Sequence, residues 1–142
     1  MDVNTTAALF KALGDPTRVR IVRLLAARRV ELCNCEFVDA LLEPQPNVSR
    51  HLAVLVQAGL VTERREGRWT YYGLASTAPA SALGATLAEV EDVQAQDDGR
   101  RLRTRLALRR GGRCVVGIQA TLQSSASVSK PQPSQRRRRM IL

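Results

Sequence analysis

Apolar positions recur at helical spacing up to about Gly59 and alternate after it. In "NTTAALFKAL", residues 4–13, Leu9, Phe10 and Leu13 form one stripe. Asn4, Thr5 or Thr6 can cap that helix, and Gly14 ends it. "DPTRVRIVRLLAA" predicts a second helix, with Asp15 as N-cap, Pro16 at the first helical position, and Ile21, Val22, Leu24 and Leu25 buried. "CEFVDALL" predicts a short third helix on Phe37, Val38, Leu41 and Leu42, which "EPQP" breaks. "NVSRHLAVLVQAG" predicts a fourth, whose Val48, Leu52, Leu55 and Val56 share one face and whose cap is Gly59.

"LVTERREGRWTYYGL" then reads as two strands about a Glu66-Gly67 turn, with Trp69 and Tyr71 on one face. Residues from about Pro79 to Arg109 predict a long helical region on Leu83, Leu87 and Val90, weakened by Gly84 and by Asp97-Asp98-Gly99. Residues 120–142 are rich in Ser, Gln, Pro and Arg, a composition expected to be disordered. The expected fold is mainly α with a small β-hairpin, a winged helix-turn-helix. Residues 1–110 are expected to form the DNA-binding and dimerisation domain, and 111–142 a largely disordered basic C-terminal extension.

A chain of 142 residues suits one domain. No run approaches membrane-spanning length, and "MDVNTTAALF" lacks the basic and apolar regions of a secretory signal. A cytoplasmic location is expected. Three cysteines, two of them one residue apart, read as free thiols in a reducing compartment, suited to soft metals or redox chemistry. The net charge of +9 favours a polyanionic partner, DNA or RNA first, although Arg136–Arg139 supply four of those charges.

Two short helices and a tight turn followed by a basic hairpin place the second helix in the major groove. Its N-terminal part offers Gln45, Asn47, Ser49, Arg50 and His51. Gln and Asn pair with adenine, and Arg with guanine. Arg64, Arg65 and Arg68 near the hairpin tip suit phosphate or the minor groove. His51, the only histidine, reads as a phosphate contact or a packed side chain rather than a metal ligand. The arginines at 100, 101, 103, 105, 109 and 110 read as a solvated helix face. A paired catalytic base, a phosphate loop and a Cys-x-x-Cys motif are missing, so an enzyme or metal chaperone is not expected.

"LFKALGDPTRVRIVRLL", "ELCNCEF" and "NVSRHLAVLVQAGLVTERREGRWTYYGL" resemble the ArsR/SmtB family of metal-responsive transcriptional repressors. The resemblance is close over about residues 6–75 and weaker to about 117. It implies a homodimer built on the first and the C-terminal helices, bound to an operator near its own promoter and released by metal. Members that sense trivalent arsenic or antimony often carry Glu-Leu-Cys-x-Cys-Glu/Asp-Leu, so the resemblance makes Cys33 and Cys35 inducer ligands and As(III) or Sb(III) the inducer, with no required cofactor. Some members add a third cysteine three residues on, where this chain has Val38. Cys114 in "GGRCVVG" is then the candidate third ligand, from the same chain or a dimer partner. The family's zinc site on the C-terminal helix uses Asp and His, and this region lacks His. Members sensing cadmium or lead use extra N-terminal cysteines, and none precedes Cys33.

Residues i and i+2 lie about 200° apart around a helix axis. Cys33 and Cys35 must therefore meet one ion at an unwound start of the third helix, or binding must unwind its first turn. Either arrangement strains the helix behind the DNA reader. Alternatives that keep the DNA-binding role are a disulfide switch among these thiols and a repressor sensing another soft metal.

Overall fold

The computed structural model describes residues 1–120 of the chain. Its elements are α1 (Val3–Ala12), α2 (Pro16–Arg28), β1 (Leu32–Cys33), α3 (Asn34–Leu41), α4 (Gln45–Gln57), β2 (Val61–Glu66), β3 (Trp69–Leu74), α5 (Ala78–Ala88) and α6 (Val93–Leu106). Of the extension 111–142 expected to be largely disordered, residues 111–120 are described and are hydrogen-bonded to the core, while 121–142 lie outside the described residues. No helix among the described residues is long and apolar enough to cross a membrane.

The helical stripes build the core. Ile21, Val22, Leu24 and Leu25 of α2 meet Phe37, Val38 and Leu41 of α3 and Val48, Leu52 and Leu55 of α4. Each such side chain contributes about 1.5–3 kcal/mol by leaving water. Asp15 caps α2 by accepting from the N–H groups of Thr17 and Arg18. The cap of α1 differs from expectation. Asp2 accepts from Thr5 N at 2.7 Å, so the helix starts one residue before Asn4. Phe10, read as part of the buried stripe, is exposed, as is Leu42, which ends α3 with a positive φ of 55°.

The wing is a β2–β3 hairpin in the register Val61↔Leu74 to Glu66↔Trp69. Gly67 turns it at a φ of 62°, a conformation that strains residues with a Cβ. A strand not expected from sequence, β1, adds to the other edge of β3, pairing Leu32 with Tyr72 and Cys33 with Tyr71. Two residues are too few to show alternation.

The C-terminal helical region breaks at a place other than the one expected. Asp92 caps α6, and Asp97, Asp98 and Gly99 lie inside that helix. Val90, read as a buried position, is exposed at the break. Gly84 is a packing position. A Cβ there would fall 2.7 Å from Leu74 Cδ2, so glycine lets α5 close on the hairpin and α2. The α6 helix packs back along α3.

Candidate thiol centre and nucleic-acid interface

Cys33 is the last residue of β1 and the N-cap of α3, with extended backbone (φ −88°, ψ 166°). Cys35 lies in the first helical turn. One thiol therefore stands before the helix and the other within it, and both sulfurs reach one point with α3 intact. The Cys33 and Cys35 sulfurs are 3.0 Å apart. Cys114, carried by the segment after α6, places its sulfur 2.9 Å from Cys33 and 3.4 Å from Cys35. All three residues are buried and free. Tyr71 Oη accepts from Cys114 N at 2.9 Å and so seats that segment against the wing.

The thiols sit in a cage of buried charge. Glu36, wholly buried, accepts from Cys33 N at 3.0 Å and closes a capping box at the start of α3. Arg109 grips the same carboxylate with two bonds of 2.7 Å. Arg105 reaches Cys35 Sγ at 3.2 Å and Cys114 Sγ at 3.6 Å, with its Nε 2.7 Å from Asp39 Oδ2. Its Nη2 also donates to the carbonyls of Val116 and Gly117 at 2.7 and 3.1 Å. Asp39 in turn accepts from Gln119 N and Ala120 N. Residues 114–120 are thus strapped across α3 and α6.

Arg101 completes a row, donating to Ala40 O at 2.7 Å. Arg101, Arg105 and Arg109 follow one another at four-residue steps and face α3. The expectation of a solvated arginine face is corrected here. Arg100, Arg103 and Arg110 are exposed, but Arg105 is 3% exposed and Arg101 and Arg109 are half-buried.

Hydrogen bonds with Cys33, then with Cys114, and the nearby Arg105 guanidinium draw the Cys35 thiol down to about 6 against the cost of burial. The hydrogen bond to Cys35 together with burial pushes Cys33 up, and burial pushes Cys114 up. The cluster thus favours negative charge at the Cys35 sulfur over those of Cys33 and Cys114.

The expected DNA-reading residues do not all face outward. Gln45, Ser49 and Arg50 are exposed on α4, and Asn47 is half-buried. His51 is packed against the start of α2. Its Nδ1 lies 3.1 Å from Arg18 Nη1, and its Nε2 lies 3.9 Å from Asp15 Oδ1. On the wing Arg65 and Arg68 are exposed, Arg68 standing over the Trp69 ring. Arg64 is held by Glu31 at 2.7 Å and by Glu66 at 2.6 Å and lies over Tyr71.

The profile of the "Bacterial regulatory protein, arsR family" matches residues 15–63, from the cap of α2 into β2. The chain is 45% identical over 91 residues to the arsenical resistance operon repressor of Escherichia coli (strain K12), covering 61% of this chain and 77% of that one. The chain belongs to the ArsR family. Another relative, the arsenic resistance transcriptional regulator ArsR1 of Pseudomonas putida, is 47% identical over 78 residues, 55% of this chain and 60% of its own. Among solved structures, HlyU from Vibrio cholerae N16961 is similar with a TM-score of 0.55 and 30% identity, covering 61% of this chain and 94% of that chain.

ArsR-family proteins are DNA-binding transcriptional regulators with this winged helix-turn-helix fold. The matched segment holds Cys33, Cys35 and α4, whereas Arg105 and Cys114 lie beyond it. Sequence reading had Cys114 as a candidate and missed Glu36, Asp39, Arg105 and Arg109 as its surroundings. The four-residue spacing of Arg101, Arg105 and Arg109, opposite two acidic residues three apart in α3, was the available signal.

Proposed function

We propose that this ArsR-family chain is a homodimeric repressor that leaves its operator when trivalent arsenic or antimony takes the thiols of Cys33, Cys35 and Cys114. The observation that carries the reading is the triangle of three buried sulfurs, 2.9–3.4 Å on a side, in one protomer. Two thiolates bound tetrahedrally to zinc at ~2.3 Å stand about 3.8 Å apart, and a zinc site takes a fourth ligand. A tighter triangle of soft ligands with no fourth His or Cys beside it among the described residues suits a centre that bonds on one side through three near-perpendicular orbitals. A trivalent metalloid hydroxide exchanges three hydroxyls for three sulfurs, and the leaving waters need three protons. Each of the three thiols supplies one, so three bonds to sulfur replace three bonds to hydroxyl and three waters leave with no change in net charge. The names of the arsenic-resistance relatives support the same inducer.

Dimerisation through the first and the C-terminal helices is supported by Val3 and Phe10 on α1 and by Val90 and Val93 at the α5–α6 break, all left exposed. The test is fluorescence anisotropy of a labelled operator duplex, selected by the protein from a random pool, in excess phosphine reductant. Sodium arsenite is expected to raise the operator Kd about 5–150-fold, the usual range of allosteric coupling. An unchanged Kd under full reduction overturns the reading and leaves the disulfide switch.

DNA contact by Gln45, Asn47, Ser49, Arg50, Arg65 and Arg68 belongs to the same proposal. His51 instead supports α4 from behind. Arg65→Ala is expected to lower the slope of log K against log salt by about 0.9, one phosphate contact. Arg64→Ala should leave that slope unchanged, because Glu31 and Glu66 already neutralise its charge. A salt titration of both variants checks this, and equal slopes for the two would refute the distinction. The dimer is expected to select an inverted repeat with half-sites about 10 bp apart or a multiple of that.

A further inference from the structure

Asn34 stands between the two vicinal thiols and is the first residue of α3. Its side-chain Nδ2 donates to Ser49 Oγ at 2.9 Å. Among the described residues this is the only side-chain hydrogen bond joining α3 to α4. The other end of the same amide, Oδ1, is buried without a partner. A buried polar atom left unpaired is costly. The amide is therefore held in a position that only the bond to Ser49 repays.

We infer that Asn34 is the positioning residue that transmits the state of the thiols to the DNA-facing surface of α4. The inference rests on the metalloid-release reading above. The chemistry is directional. Because Ser49 Oγ accepts from Asn34 and its own O–H has no acceptor among the described residues, that O–H is free to donate to a phosphate or a base edge. Ser49 is exposed at that surface, beside Arg50. Asn34 has no freedom independent of the thiols, since its two peptide bonds join it to Cys33 and Cys35. Cys33 N is in turn tied to Glu36 and Cys33 Sγ to Cys114. A change in the spacing of the two sulfurs must be taken up by the backbone between them, and that backbone carries the amide. Losing the bond frees the Ser49 hydroxyl to turn away from DNA.

The test is a thermodynamic cycle on operator affinity, with N34A, S49A and the double variant, each measured without and with sodium arsenite under full reduction. In the metalloid-free protein N34A is expected to weaken operator binding about 3–10-fold, the worth of one neutral hydrogen bond. N34A added to S49A should weaken it no further. With arsenite present N34A and wild type should bind the operator equally, so the release ratio of N34A falls by the same factor as its metalloid-free affinity. Arsenite should still protect three thiols per chain in N34A.

A merely structural role would lower both affinities together and leave the ratio at the wild-type value, and that result overturns the inference. So does an unchanged metalloid-free affinity, or additivity of N34A with S49A. If N34A folds poorly, N34S keeps a small polar residue at the first helical position and carries the same test. If arsenite fails to release the wild type, the metalloid reading falls. The metalloid-free cycle then still decides whether Asn34 sets the Ser49 hydroxyl.

Discussion

Cys114→Ser should lower arsenite affinity by about 100-fold or more while leaving operator binding intact. Removing a group that only supports a metal ligand costs about 10–100-fold, and removing the ligand itself costs at least the top of that range. Cys114 touches both other sulfurs, and its segment rests on Tyr71, Arg105 and Asp39, none of which belongs to α4. Thiol titration gives the count directly. Arsenite should protect three thiols per chain in the wild type, and wild-type affinity in Cys114→Ser would remove Cys114 from the site. Cys33→Ser and Cys35→Ser should each abolish release from the operator with metalloid-free binding retained. The intrachain placement has its own check. A mixed dimer of Cys33→Ser with Cys114→Ser regains one full site only if thiols are shared across the dimer. On the geometry here, it should gain none.

That placement separates what the amino-acid pattern made legible from what it did not. The stripes of α2, α3 and α4 were readable because each buries one face against a single core, and helical spacing reports that directly. The wing was readable from Trp69, Tyr71 and the Gly67 turn. Spacing also foretold that two thiols one residue apart cannot share a helix face. The extended backbone at Cys33 resolves the choice in favour of a thiol outside the helix, with no first turn to unwind. Arg101, Arg105 and Arg109 were misread because charge normally marks solvent. Here the partners are Glu36 and Asp39, on a helix some seventy residues earlier in the chain, and local pattern carries no information about such pairing. His51 was read as a phosphate contact or a packed side chain, and its neighbours in sequence could not choose between the two. It directly precedes the buried Leu52 and turns toward Arg18. Asp92 rather than Asp97 starts α6 because its side chain accepts from Ala95 N at 2.8 Å, while Asp98 is spent on Arg20 and Arg101.

Glu36→Ala should destabilise the fold by about 3–5 kcal/mol, the cost of stripping one partner from a buried ion pair. Total stabilities run about 5–15 kcal/mol, so the shift in urea midpoint will be large. Glu36 is wholly buried and has two duties. One oxygen takes the Cys33 N–H, and both take the Arg109 guanidinium. Alanine leaves that N–H and that cation unpaired in an apolar setting. Arg109→Met should cost a similar amount, because it leaves the carboxylate as the unpaired charge. The pair Glu36→Gln with Arg109→Met should recover much of the loss, since neither charge then remains, and a double-mutant cycle measures the difference. A loss below about 1 kcal/mol for Glu36→Ala would mean that water reaches the pair. The same substitution reaches the thiols. Cys33 is positioned as the cap of α3 by the bond its N–H makes to Glu36. Without that bond the first turn frays and the Cys33–Cys35 spacing is no longer fixed. Arsenite affinity should therefore fall in Glu36→Ala even under conditions where the protein remains folded, whereas Glu36→Gln, which keeps the acceptor, should hold the thiols in place.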